Sequence, residues 1–227
     1  DVGEQGQREK MMFGEIKKLN PLTVQMTKDN DKMLTTAFLH YTDKQPLAVK
    51  TNLLWKASLD TNALIGPQLF KNHYSDETEI LIQDAAYNLY LFSRSGEQLW
   101  KKKLDGPIKV KIHTVDFYKN NKFQLLFNTP NSIHLVDRKG RNVSGFPIKL
   151  ASPASNELFV VDYNGKREYR MFIGCINGNI YGYYKSGKPL PGWNPLDKKG
   201  MTQFPVIHFV KEDRDYLAFA SRSGNIH

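Results

Sequence analysis

Tyr87-Asn88-Leu89-Tyr90-Leu91-Phe92-Ser93-Arg94-Ser95-Gly96-Glu97-Gln98-Leu99-Trp100 is the stretch that decides the fold. A short run of aromatic and branched side chains is strand material, Ser-Arg-Ser-Gly-Glu is a polar turn built on a glycine, and the chain leaves on a second run ending in tryptophan. The same order returns downstream. Asn131-Ser132-Ile133-His134-Leu135-Val136 precedes Arg138-Lys139-Gly140-Arg141, and Gly178-Asn179-Ile180-Tyr181-Gly182-Tyr183 precedes Lys185-Ser186-Gly187-Lys188. Gly224-Asn225-Ile226-His227 opens another copy. The aromatics that close the copies, Trp55, Trp100, Phe146 and Trp193, follow one another at 45, 46 and 47 residues. Several anchors sharing one period mark a repeat architecture, in which each unit is a supersecondary element that cannot bury its faces alone.

The first half of each unit repeats as well. Polar tips at Tyr74–Glu77, Lys119–Lys122, Tyr163–Lys166 and Glu212–Arg214 each stand between two apolar runs. The runs leaving them, Glu79–Ile82, Phe123–Phe127, Tyr169–Ile173 and Tyr216–Phe219, have strand length and strand composition. Four short antiparallel strands in about 46 residues make a propeller blade. The predicted fold is therefore all-β, a partial or truncated β-propeller of four-stranded antiparallel blades. Blades fall at 60–106, 107–151 and 152–201, with an incomplete one at 202–227. Residues 1–59 form an N-terminal segment with irregular strands or a partial blade. Strands are expected there at Leu22–Thr27, Lys32–Thr42 and Asn52–Leu59, with a short helical turn at Glu9–Lys18. A blade is covered on both faces by its neighbours, so its middle strands are apolar at nearly every position and its tips collect Lys, Ser and Asn. The recurring aromatic is expected to wedge between blades, making Trp55, Trp100, Phe146 and Trp193 inter-blade structural aromatics.

Composition removes several classes. With 40% hydrophobic and 24% charged residues among 227, the chain is not a disordered one. Its apolar runs reach about five residues, far below the ~20 of a membrane-spanning helix. A single cysteine, Cys175, rules out an intrachain disulfide and a Cys-based zinc cluster. The chain begins at Asp1 and stops at Ser223–His227 inside an expected strand, so it reads as a piece of a longer polypeptide.

Further motifs carry a resemblance. Leu89-Tyr90-Leu91 followed by Gly96-Glu97-Gln98-Leu99-Trp100 resembles the repeat of quinoprotein-like propellers; Phe146 and Trp193 hold the same place with two extra residues. Phe70–His73, Ile82–Asp84, Leu99–Ile108, Leu126–Thr129, Leu135–Gly140, Ser152–Ala154, Asp162-Tyr163 and Gly192-Trp193 together resemble an uncharacterised Bacteroidetes envelope protein family. In that family a domain precedes a quinoprotein-like or WD40-like β-propeller. The resemblance spans about residues 33–227 and implies a periplasmic or cell-envelope location. It implies no activity.

Candidates for chemistry were weighed one by one. A quinoprotein dehydrogenase needs calcium ligands and usually a vicinal cysteine pair, which one cysteine does not supply. Cys175, in Phe172-Ile173-Gly174-Cys175, reads as a buried inert thiol. Histidines 40, 73, 113, 134, 208 and 227 show no metal-ligand spacing, and His134 and His227 share a repeat position. Asp162-Tyr163-Asn164-Gly165 echoes an acidic calcium loop, but Lys166 and Arg167 follow it, so a hairpin turn explains it. Asp116 and Asp162, 46 apart, are explained by hairpin capping at least as well as by catalysis. There is no phosphate-binding glycine loop and no Gly-x-Ser-x-Gly elbow. Hence no catalytic, cofactor or metal residue is nominated. The net charge of +9 is spread over turn tips, and Lys101-Lys102-Lys103 alternates faces within a strand, a pattern unlike a nucleic-acid surface. The expected function is a non-enzymatic binding or scaffold module holding a protein partner. Carbohydrate or small-ligand binding is the alternative, with Tyr74, Tyr163, Tyr184 and Trp193 as stacking candidates, and a propeller enzyme ranks third.

Overall fold

Short apolar runs alternating with turn-forming residues build antiparallel hairpins, and the described residues contain strands and no helix. The computed structural model describes residues 23–29, 32–38, 54–196, 202 and 204–227. They belong to two compact units, Asp1–Leu53 and Leu54–His227. In the first unit β1 (Thr23–Asp29) pairs antiparallel with β2 (Lys32–Phe38), Thr23 opposite Phe38 and Asp29 opposite Lys32. The helical turn expected at Glu9–Lys18 and the start of the strand expected at Asn52–Leu59 lie outside the described residues. Residues 54–59 pair with no strand, and Leu54 is 87% exposed. What holds this segment is Trp55, which stands on a turn of the first sheet rather than hydrogen-bonding along an edge.

The second unit is a series of meandering sheets. The first runs β3 (Ala63–Lys71), β4 (Thr78–Asp84), β5 (Asn88–Phe92) and β6 (Gln98–Lys103), paired in that order. The second runs β7 (His113–Val115), β8 (Gln124–Asn128), β9 (Ser132–Asp137) and β10 (Ile148–Lys149). The third pairs β11 (Phe159–Val161), β12 (Arg170–Gly174) and β13 (Ile180–Tyr184), and bridges from Tyr183 to Pro189 and from Ile180 to Leu196 finish its outer edge. The last is the hairpin β14 (Ile207–Lys211) and β15 (Arg214–Ala218), closed over Glu212-Asp213 and extended by Phe219 and His227, which exchange both backbone hydrogen bonds. These are propeller blades, three with four-stranded outlines and one shorter.

Their cohesion comes from side-chain alternation. Successive residues of a strand point to opposite faces, and in the second and third blades both faces meet another blade. On β8, Leu125 and Phe127 join Phe70, Leu81, Leu89 and Leu91 of the first blade. Leu126 between them turns the other way and joins Met171, Ile173 and Tyr183 of the third. On β12, Met171 and Ile173 face the second blade, whereas Phe172 packs with Val206 and Phe219 of the last. The three apolar clusters are thus three seams between four blades. All five residues of β8 are buried for this reason.

Candidate functional site

The seam aromatics occupy unequal positions. Trp55 lies on the first blade's β5–β6 turn: an added Cβ on Gly96 would come 2.5 Å from its ring, and its Nε1–H donates to the Arg94 carbonyl at 2.9 Å. Trp100 repeats this on the second blade, against Gly140 and donating to the Arg138 carbonyl at 2.7 Å. Phe146 and Trp193 follow a two-residue bulge and lie differently. Phe146 is buried among Val143, Met171 and Tyr183 between the second and third blades, and Ile148 takes the place against Gly187. Trp193 packs edge-on against Phe172 of its own blade, with centroids 4.8 Å apart, while nothing approaches Gly224.

A second connector uses charge. Asp105, just after β6, reaches the next blade and accepts from Thr129 Oγ1 at 2.7 Å, Ser132 Oγ at 2.5 Å, His134 Nε2 at 2.9 Å and Lys149 Nζ at 3.1 Å. Burial pushes the carboxyl upward, but these donors together prevail and hold it well below the usual carboxylate range. His134, stacked on Phe127 at 5.2 Å, is held below its ordinary value by burial, against the opposing pull of Asp105. It is therefore a neutral ring donating from Nε2, with Nδ1 buried and unpartnered. Serine, histidine and aspartate do meet here, but both donate to the carboxylate and no serine–histidine bond forms, so the hydroxyl has no base. Forty-five residues earlier, Asp60 accepts from Lys101 Nζ at 2.8 Å, and its backbone N–H donates to Tyr90 Oη at 3.2 Å. Asp60 and Asp105 were readable as a repeated pair from their spacing, but the aromatics drew the reading instead.

The site with free chemistry lies where the tips of two blades meet. His73 and Tyr74 from the β3–β4 tip, Tyr118, Asn120 and Lys122 from the β7–β8 tip, and Asp137, Arg138, Lys139 and Arg141 from the β9–β10 turn wall a recess of about 240 Å³. Asp116 shapes one wall by accepting from the Asn120 and Asn121 amides at 3.0 and 2.7 Å. Asp137 shapes another by accepting from the Lys139 and Arg141 amides, each at 2.9 Å. Glu79, buried beneath, pairs with Arg138, whose Nε donates at 3.1 Å, and also accepts from Asn72 Nδ2 at 3.0 Å. That buried carboxylate fixes the guanidinium at the floor of the recess. His73 accepts the Phe123 N–H at Nδ1, 3.1 Å away, and burial, then the charges of Arg138 and Lys122, keep it below its ordinary value. It is a neutral ring whose Nε2–H remains a donor. Arg141 is paired with Asp137 at 2.7 Å. Among the described residues Lys122 and Lys139 have no acidic partner, and Lys122 Nζ lies 5.6 Å from the Tyr74 ring centre. Sequence reading singled out Tyr74 alone of this set, because the walls come from three turns distant in sequence.

The other candidates are engaged elsewhere. Cys175 is buried, and burial pushes its thiol up to about 12. Asp162 accepts from the Arg167 amide at 2.7 Å and so caps its hairpin. His227 stacks on Phe219 at 5.1 Å, at the repeat position of His134; His40 lies outside the described residues. Lys101 is tied to Asp60, Lys102 to the Gly140 carbonyl at 3.1 Å, and Lys103 to the Ala86 carbonyl. Of the stacking candidates, Tyr163 meets His208 edge-on at 5.2 Å and Tyr184 lies under Arg170 at 4.9 Å, whereas Tyr74 is 66% exposed. Among the described residues no group of three or more His, Cys, Asp or Glu is placed to hold a metal ion.

Stacked meandering blades in a repeat of about 46 residues define a β-propeller, in part. No family model and no curated protein matches the sequence. Among solved structures the chain is similar to BBS1N, crystallised in complex with ARL6DN, with a TM-score of 0.52 at 12% identity. That match covers 73% of this chain and 50% of BBS1N, so the chain spans about half of that structure's length. It also matches the Pan2 WD40 domain of Neurospora crassa, with a TM-score of 0.46, 13% identity, and coverage of 70% of this chain and 44% of that one.

Proposed function

We propose that this propeller is a non-enzymatic binding platform that holds a protein partner on its turn tips, in the cell envelope. One observation carries the reading: a recess between the tips of two adjacent blades, walled by exposed tyrosines and by lysines that have no acidic partner among the described residues. Lys101, Arg167 and Lys185 are spent on internal ion pairs, whereas Lys122 and Lys139 stand together at one recess. The seams lend it rigidity, and a rigid surface loses little conformational entropy when it binds. The fold similarity to BBS1N, crystallised in complex with ARL6DN, supports the same reading by analogy. The envelope location rests on the sequence resemblance. The groups that would suit an enzyme are committed elsewhere: the Cys175 thiol is buried, and Ser132 and His134 are both bound to Asp105. Carbohydrate recognition is the second reading, favoured by the open faces of Tyr74 and Tyr118, 66% and 55% exposed.

The test is amine-reactive cross-linking of the intact parent protein in native envelope fractions, followed by mass spectrometry against an uncross-linked control. The expected result is one recurrent protein in near-equal amount, linked through Lys122 or Lys139. Recovery no greater than the control sinks the platform reading, and a glycan-array signal that depends on Tyr74 would then establish the second.

A further inference from the structure

Resting on the platform reading, we infer that the recess between the β3–β4 and β7–β8 tips is a docking site for a short acidic peptide segment of the partner. Without an acidic partner among the described residues, the two lysines present positive charge from two different walls, Lys122 from the β7–β8 tip and Lys139 from the β9–β10 turn. Arg138 on the floor is held by Glu79, whose carboxylate is itself held by Asn72, so it keeps its orientation with the recess empty. His73 adds a neutral N–H donor, and Tyr74 and Tyr118 add two exposed ring walls. Carboxylates flanking an aromatic or aliphatic side chain match this set: the anions meet the lysines while the side chain lies against the tyrosines.

The same features argue against other anions. Nucleic acid is tracked by a row of cations along several phosphates. Here the cations converge on about 240 Å³, and a carboxylate, Asp137, stands in the wall. An anionic membrane is met by a basic surface that lies flat on it, and these lysines line a concavity instead.

The decisive experiment is fluorescence anisotropy of the full chain with a dye-labelled Glu-Glu-Tyr-Glu-Glu peptide. The same peptide with glutamine for each glutamate is the control. The expected result is saturable binding, at least tenfold weaker for the glutamine peptide. A similar loss is expected in the Lys122→Glu/Lys139→Glu double variant. Both lysines are exposed, so that variant should melt as the parent does. A control pair in another blade, Lys166→Glu/Lys188→Glu, changes the net charge equally and should leave binding within about twofold. Equal losses in the two double variants would mean a diffuse charge effect and overturn the inference. So would absence of peptide binding, or binding of oligothymidylate, a sulfated oligosaccharide or phosphatidylserine vesicles in its place. If the peptide fails while the envelope cross-linking captures a partner through residues outside the recess, this inference falls and the platform reading survives. Specific peptide binding with no captured partner leaves the recess assigned and removes only the envelope-partner reading.

Discussion

At the scale of single residues, the glycine beneath each tryptophan carries the tightest demand. Gly96 and Gly140 have φ of +87° and +80°, a region costly for any residue with a Cβ. A Cβ there would also come 2.5 Å from the Trp55 ring and 3.0 Å from the Trp100 ring. Conformational strain and steric displacement therefore coincide. Gly165 at φ +65° has the same backbone demand with nothing within 4 Å. Gly96→Ala and Gly140→Ala are expected to lose about 2–3 kcal/mol each, and Gly165→Ala about 1 kcal/mol. Thermal denaturation of the three variants checks this, at roughly 2–4 °C per kcal/mol for a domain of this size. Equal shifts in all three would mean that the tryptophan contact adds nothing.

At the scale of elements, one blade is fastened to the next by its own tail. Asp105 follows β6 and enters the second blade, where Thr129, Ser132, His134 and Lys149 share its carboxylate. Because its folded pKa lies below the unfolded value of about 3.9, its contribution is fully present above that pH and is lost as the pH falls through the folded value. Asp105→Asn should cost about 1 kcal/mol near neutrality, a figure held down by the partial exposure of the carboxylate. The gap between the variant and the parent should shrink steadily below about pH 4. Melting curves from pH 7 to pH 2.5 measure it, and a constant gap would refute the role given to the charge. His134 is depressed too, so stability is also lost as the pH falls below about 6.5, and more so in the variant, which lacks the Asp105 carboxylate that raises this ring. The charge of Asp105 is therefore read from the change in the gap below about pH 4.

At the scale of the whole molecule, three seams among the described residues join four blades in series. Cys175 reports on the middle seam, since it is buried in the cluster shared by the second and third blades. With its thiol pushed up to about 12, almost no thiolate exists at pH 8 in the folded protein. A disulfide-exchange reagent at pH 8 is expected to leave the native protein unlabelled for hours and to label one thiol per chain in denaturant. Labelling at intermediate denaturant, before the far-ultraviolet signal changes, would show the seam opening without the sheets unfolding. Complete labelling within minutes under native conditions would mean that the seam is not closed in solution. Apolar side chains stay open on the flanking blades, with Leu69 73%, Ile207 57% and Phe209 45% exposed.

Most strands of the blades, their hairpin tips and the repeat that stacks them were legible in the sequence, because each depends on local features; the strand expected at Asn52–Leu59 was not, since residues 54–59 pair with no strand. Alternation sets a strand, Asn, Asp and Gly set a turn, and the 45- to 47-residue spacing of Trp55, Trp100, Phe146 and Trp193 exposes the period. The sequence also marked Asp116 and Asp162 as candidate hairpin caps, since a cap bonds amides a few residues away. What those four aromatics touch was decided by tertiary structure. Two inserted residues rotate Phe146 and Trp193 away from the place that Trp55 and Trp100 take, so that Ile148 meets Gly187. The recess belongs to the tertiary structure for a stronger reason. His73, Lys122 and Lys139 come from three turns separated by dozens of residues, and only the stacking of one blade on the next brings them to a common wall. Local preference settles which residues turn and which extend, whereas a site shared by two blades exists only after the apolar seam between them has formed.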